Sequence, residues 1–131
     1  MDSRIDVFKV FGLKSGEAHI LRNAGGLITT DMLRSLVLSQ RLLQTREIRV
    51  MMHTRCGLYG TDEHALHESI AAEVGELPPY TFGAFTDIDA AVHTAIRRLR
   101  EHRFLPHRDN ITGLVYDVDT TEVREVLSSR A

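Results

Sequence analysis

Among the side chains whose types could bind a metal or steer a proton, four stand in two tight groups. His53-Thr54-Arg55-Cys56-Gly57 sets an imidazole and a thiol three residues apart, a spacing from which both can reach one tetrahedral Zn²⁺ at about 2.0–2.3 Å. Asp2-Ser3-Arg4 sets a carboxylate and a guanidinium two residues apart, able to form a charge-assisted and bidentate pair once brought together. Spacing alone is weak evidence for either. A His-x-x-Cys pair recurs by chance, and Cys56 reads equally well as a buried, inert thiol. For Asp2 and Arg4 the bland reading is a solvated chain terminus.

The elements that must position these groups alternate between helical and extended patterns. Ile5 to Leu13 reads as a short helix or turn closed by glycine, and Ala18-His19-Ile20-Leu21 as a short strand that breaks at Asn23-Ala24-Gly25-Gly26. A helix is expected from Thr29 or Thr30 to about Gln44, with an apolar stripe of Met32, Leu33, Leu36, Val37, Gln40 and Leu43. Glu47 to Met52 has the character of a buried strand and delivers His53 at its end. Leu66, Ile70 and Val74 suggest a helix from Glu63 to Val74. Thr86-Asp87-Ile88-Asp89 looks like a capping box for a helix whose stripe is Ile88, Ala91, Val92, Ala95, Ile96 and Leu99. Thr112 to Val118 reads as a strand, followed by a turn and an amphipathic piece with Val123 and Val126. This alternation predicts an α/β fold, a small and mainly parallel sheet flanked by helices.

Bulk properties limit what such a fold can do. A chain of 131 residues that is 43% hydrophobic supports one core, so a single domain over residues 1–131 is expected. Sixteen Lys and Arg are offset by eighteen Asp and Glu with the signs scattered, which leaves no basic footprint for nucleic acid. No apolar run approaches a membrane span, no export signal opens the sequence, and one cysteine cannot form a disulfide within the chain. A cytoplasmic protein with no membrane partner is the expectation.

The ordered series Asp2-Ser3-Arg4, Arg22-Asn23-Ala24-Gly25-Gly26, Glu47-Ile48 leading to His53-Thr54-Arg55-Cys56-Gly57, Asp87-Ile88-Asp89 and Gly113-Leu114-Val115-Tyr116-Asp117-Val118 resembles the beta-class carbonic anhydrases over residues 1 to about 126. The resemblance implies zinc as cofactor and reversible hydration of CO₂ to bicarbonate. It places His53 and Cys56 on the metal, Asp2 and Arg4 on the catalytic dyad, and Arg22, Asn23, Ala24, Gly25, Gly26 and Gly57 on the turn and substrate pocket. It also implies a homodimer or higher homo-oligomer. Related hydrolases of CS₂ or COS share these motifs, so the choice among small heterocumulenes stays open.

The family motif is Cys-x-Asp-x-Arg, and its cysteine would fall immediately before Met1. The resemblance therefore implies that the recorded start is an internal methionine of a longer protein, and that the first strand and N-terminal helices of the family lie upstream. For the chain as written, Asp2 is a further candidate metal ligand, with oxygen in place of sulfur. A catalytically inactive, carbonic-anhydrase-like binding or regulatory protein is the reading from another class. Elsewhere, His64 and His67 are expected on a solvated helix face and His19 as a structural histidine. His102, His107 and the cluster Arg97, Arg98, Arg100 and Arg103 are expected to be exposed, with a bicarbonate or phosphate site the lesser reading. Tyr59 is read either as bordering the site or as a loop anchor.

Overall fold

The computed structural model describes residues 1–127. Helix α1 spans Val7–Phe11, capped by the Asp6 side chain and stopped by Gly12 in a left-handed conformation. Helix α2 spans Thr30–Leu43, with the Thr29 hydroxyl accepting from the Met32 N–H. Strand β1 (Ile48–His53) is followed by α3 (Glu63–Val74) and α4 (Ile88–Glu101), then by β2 (Ile111–Tyr116) and β3 (Val123–Val126). Parallel strands need a long crossover, and α3 and α4 provide it: β1 pairs with β2 in parallel from Ile48↔Ile111 to His53↔Tyr116. Strand β3 then turns back antiparallel on β2, so the sheet is small and mixed with the order β1-β2-β3.

One layer of helix covers the sheet. Val92, Ala95, Ile96 and Leu99, spaced three and four apart, bury against β1 and β2. Val92, Leu99, Leu105 and Val115 are almost wholly shielded from water, and each such side chain stabilises the fold by about 1.5–3 kcal/mol. Helix and sheet can approach this closely because β2 carries Gly113, where a methyl group would collide with Val92 and Ile96. Leu33, Leu36 and Val37 of α2 join the same core.

Several local expectations need correction. Ala18 to Leu21 forms no strand: His19 spends its Nδ1 on the Ser39 hydroxyl at 2.6 Å, and that hydroxyl also bonds Thr45 at 2.7 Å. Leu43, placed on the buried stripe of α2, is 61% exposed, because the helix ends there and Gln44 turns left-handed. The cap of α4 is Asp87 rather than Thr86: its carboxylate accepts from the Ala90 N–H at 3.0 Å, while Asp89 reaches across to Arg124 of β3. The amphipathic piece at Val123 and Val126 is strand β3, with Val126 buried against the core.

Candidate functional site

The site is built where β1 ends. His53, its last residue, is held by a relay from the neighbouring strand: the Thr54 N–H donates to Tyr116 O at 2.9 Å, and the Thr54 hydroxyl accepts from the Val118 N–H at 3.0 Å. The Thr54 carbonyl lies 2.7 Å from Nδ1 of His53. A carbonyl only accepts, so Nδ1 carries the proton and Nε2 of the neutral ring keeps its lone pair, which is the tautomer a metal ligand needs. Arg55 then adopts φ +53°, a left-handed conformation that is uncommon for a residue with a side chain and that turns the chain sharply between His53 and Cys56. Cys56 is a free thiol and partly exposed.

Asp2 and Arg4 form the bidentate pair their spacing allows. Arg4 Nε donates to Oδ1 at 2.9 Å, Nη2 to Oδ2 at 2.7 Å, and the Arg4 backbone N–H to Oδ1 at 2.8 Å. These bonds, the side-chain ones first, hold the Asp2 carboxyl far below the usual carboxylate range, and the same contact raises the Arg4 guanidinium. The pair faces the metal-type imidazole: Oδ2 of Asp2 is 3.6 Å from Nε2 of His53, with the two side chains 18% and 12% exposed. Arg4 Nη2 also donates to the Arg55 carbonyl at 3.2 Å, tying residues 2–4 to the His53–Cys56 turn.

The Arg22–Gly26 segment supports this arrangement from below. Arg22 donates to the backbone carbonyls of Asp2 and Ile5, so it clamps the segment that carries the dyad. Asn23 closes the turn on itself, its Nδ2 donating to Leu27 O at 2.8 Å and its Oδ1 accepting from the Leu27 N–H at 3.1 Å. Ala24–Gly26 form one turn of 3₁₀ helix. Gly26 sits at φ +63°, and a Cβ there would lie 2.9 Å from the Met51 carbonyl, so only glycine lets the turn approach β1. Gly57 is exposed, and its carbonyl accepts from the Thr61 hydroxyl at 2.6 Å.

Asp2, Arg4, Arg22, Gly26 and His53 are thus brought together, while the remaining histidines and the arginine cluster lie elsewhere. His64 is exposed and paired with Glu68 at 3.2 Å. His67 departs from the solvated reading: it packs edge-on against Phe82, and its Nε2 is buried with no hydrogen-bond partner among the described residues. Arg97, Arg98, Arg100 and Arg103 are exposed, as expected. Tyr59 is an anchor, pairing by backbone with Phe85 and packing against its ring. Thr54 and Arg55 were not singled out by sequence, because their contributions are a backbone carbonyl and a backbone angle, neither of which has a residue-type signature.

Zinc takes nitrogen, sulfur and oxygen donors, and His53 and Cys56 are of the right types. Their number falls short: among the described residues no three His, Cys, Asp or Glu side chains gather to hold a metal ion, and a catalytic zinc needs three protein ligands. Asp2 is the nearest further donor, but both its oxygens are engaged by Arg4. The described residues therefore offer donors of the types zinc takes, but not a full set.

Comparison with known proteins fixes the class first. A structure described as carbonic anhydrase from Streptococcus mutans superposes with a TM-score of 0.91 at 42% identity, covering 97% of this chain and 77% of that one. An apo carbon disulfide hydrolase superposes at 0.85 with 28% identity, covering 98% and 76%. The fold is that of the beta-type carbonic anhydrases and their hydrolase relatives. A family model described as carbonic anhydrase matches residues 1–79. Beta-carbonic anhydrase 1 of Mycobacterium tuberculosis is 39% identical over 126 residues, 96% of this chain and 77% of that protein. A carbon disulfide hydrolase of Saccharolobus solfataricus is 31% identical over 150 residues, 95% and 73% of the two. This chain belongs to the beta-carbonic anhydrase family.

Proposed function

We propose that the chain catalyses the reversible hydration of carbon dioxide to bicarbonate and a proton, with zinc as cofactor. The observation that carries the reading is the Asp2 carboxylate, locked by Arg4 and set 3.6 Å from Nε2 of His53. His53 and Cys56 would hold the metal together with a third donor that the described residues do not supply. Zinc so held would supply a water that ionises near neutral pH. The chain's own residues do the rest. Thr54 fixes the His53 tautomer, Arg4 keeps Asp2 charged and oriented, and Asp2 accepts a hydrogen bond that directs the attacking oxygen toward substrate. The Arg22–Gly26 turn holds residues 2–5 in place and borders the substrate pocket with Gly57.

We further propose a single domain over residues 1–131, assembled as a homodimer or higher homo-oligomer. Exposed Leu42 (70%) and Leu43 (61%) on α2 favour association. Among the described residues no helix is long and apolar enough to cross a membrane. A reducing, cytoplasmic setting suits the lone Cys56.

The test is zinc content and CO₂ hydration rate on residues 1–131 and on a chain extended through the adjacent upstream codons. One zinc per chain with hydration in the extended form supports the reading, and an extended chain that binds zinc yet leaves CO₂ unchanged sinks it. Two other readings have a specific observation behind them. The incomplete donor set favours a binding or regulatory protein, which a folded, metal-free and inactive extended chain would establish. The 31% identical hydrolase favours CS₂ as substrate, which sulfide release would reveal.

A further inference from the structure

The turn that follows Cys56 is not held by its own sequence alone. Within it, the Tyr59 N–H donates to Cys56 O at 3.0 Å and the Thr61 hydroxyl to Gly57 O at 2.6 Å. Its outer side is tied to a distant segment: the Gly60 N–H donates to Phe85 O at 2.8 Å, and the Phe85 N–H to Leu58 O at 3.2 Å. These two bonds form an isolated parallel bridge, with the Tyr59 and Phe85 rings packed edge to face at 6.0 Å.

What fixes Phe85 in turn is Glu63, in the first turn of α3. Its Oε1 accepts from the Ala84 N–H at 2.6 Å and its Oε2 from the Phe82 N–H at 3.3 Å. Glu63 is half-buried, with its carboxylate turned onto a run of backbone donors. Those bonds, Ala84 first, keep the carboxyl below its ordinary range. The ring is then closed: Cys56, the turn to Thr61, Asp62, Glu63, across to Ala84 and Phe85, and back to Leu58 and Gly60. It is also packed against the Arg22–Gly26 turn, because Leu58 fills the space beside Gly25 and Leu27 the space beside Gly83.

Resting on the carbonic anhydrase reading, we propose that Glu63 is a positioning residue for the active centre, a latch that sets the Cys56 thiol by anchoring residues 82–84 and, through Phe85, the turn behind it. A charged acceptor shared by two backbone donors is a strong contact, and nothing else described on α3 reaches those N–H groups.

The experiment compares Glu63→Ala and Glu63→Gln with the parent chain. Amide exchange is followed at Phe82 and Ala84, at the relayed positions Phe85 and Gly60, and at Met52 and Val115 of the sheet. In Glu63→Ala the relayed amides are expected to exchange about tenfold or more faster with the sheet unchanged. Alkylation of Cys56 should rise severalfold, and kcat should fall while KM holds. Glu63→Gln keeps one acceptor for Ala84 and should recover most of each effect, which also covers a poorly folding alanine variant. The latch is overturned if Phe85 and Gly60 exchange as in the parent, or if only Phe82 and Ala84 respond. Exchange and alkylation need neither zinc nor turnover, so a parent chain that fails to hydrate CO₂ removes the enzymatic reading and leaves the latch to be decided by these two.

Discussion

Nε2 of His53 and Oδ2 of Asp2 stand 3.6 Å apart, and the oxygen that faces the imidazole is the one Arg4 Nη2 holds at 2.7 Å. The guanidinium therefore decides whether Asp2 is free to approach the ring or a metal upon it. Replacing Arg4 by methionine keeps the bulk of the stem and removes every side-chain bond to the carboxylate. The Asp2 carboxyl is then expected to titrate higher, toward the ordinary value of about 3.9, which carbon-13 NMR of the side chain would read. Hydration activity should fall roughly ten- to hundredfold.

Thr54 links the site to β2. Thr54→Val conserves shape but leaves the Val118 N–H without its acceptor, at a cost of about 1–3 kcal/mol. A lowered urea midpoint with the His53 Nδ1 proton still bonded in nitrogen-15 spectra is the expected result. A wild-type midpoint would show that the hydroxyl bond contributes nothing.

At Gly26 two demands coincide, a positive φ and a backbone carbonyl 2.9 Å from any added Cβ. The Met51 oxygen belongs to β1 and cannot step aside without disturbing the strand that carries His53. Gly26→Ala is expected to lose about 1–3 kcal/mol in denaturant unfolding and to impair activity further than that loss explains.

Asp89 is held below the ordinary carboxylate range by the Arg124 guanidinium. A carboxyl depressed in the folded state adds stability that is fully present above its unfolded value, near 3.9, and is lost as pH falls through its folded value. Asp89→Asn should therefore lower the unfolding midpoint at pH 7 and leave it unchanged well below pH 3. Equal losses at both pH values would mean that the effect is not electrostatic. The pair is half exposed, so the difference will shrink in high salt.

Helix α4 could be read from the sequence almost to the residue, because a cap and a three-and-four apolar spacing are local signals. The same logic misleads at Ala18–Leu21, whose residue types suggest a strand although no neighbour among the described residues offers them a ladder. The His53–Cys56 turn and the Asp2–Arg4 pair were legible because their chemistry depends on residue type. Glu63 was not: its partners are backbone groups about twenty residues further on, and any acidic residue at the start of a helix has a simpler explanation. The antiparallel return of β3 was likewise hidden, since Val123 and Val126 specify an amphipathic segment and not its partner.

The parallel pairing of β1 with β2 also sets an order of events. His53 receives its orientation through a Thr54–Val118 contact spanning 64 residues, and meets the dyad through an Arg4–Arg55 contact spanning 51 residues. Closing loops of that length is slow and earns nothing until the far strand docks. On a ribosome, the segment bearing Asp2, His53 and Cys56 is made well before Ile111–Tyr116 emerges, so the chain passes through a long interval with a free thiol and no ordered centre. If the proposed zinc binds, its uptake should wait for completion of the chain, and a nascent fragment ending before Ile111 should hold the ion no better than a loose peptide.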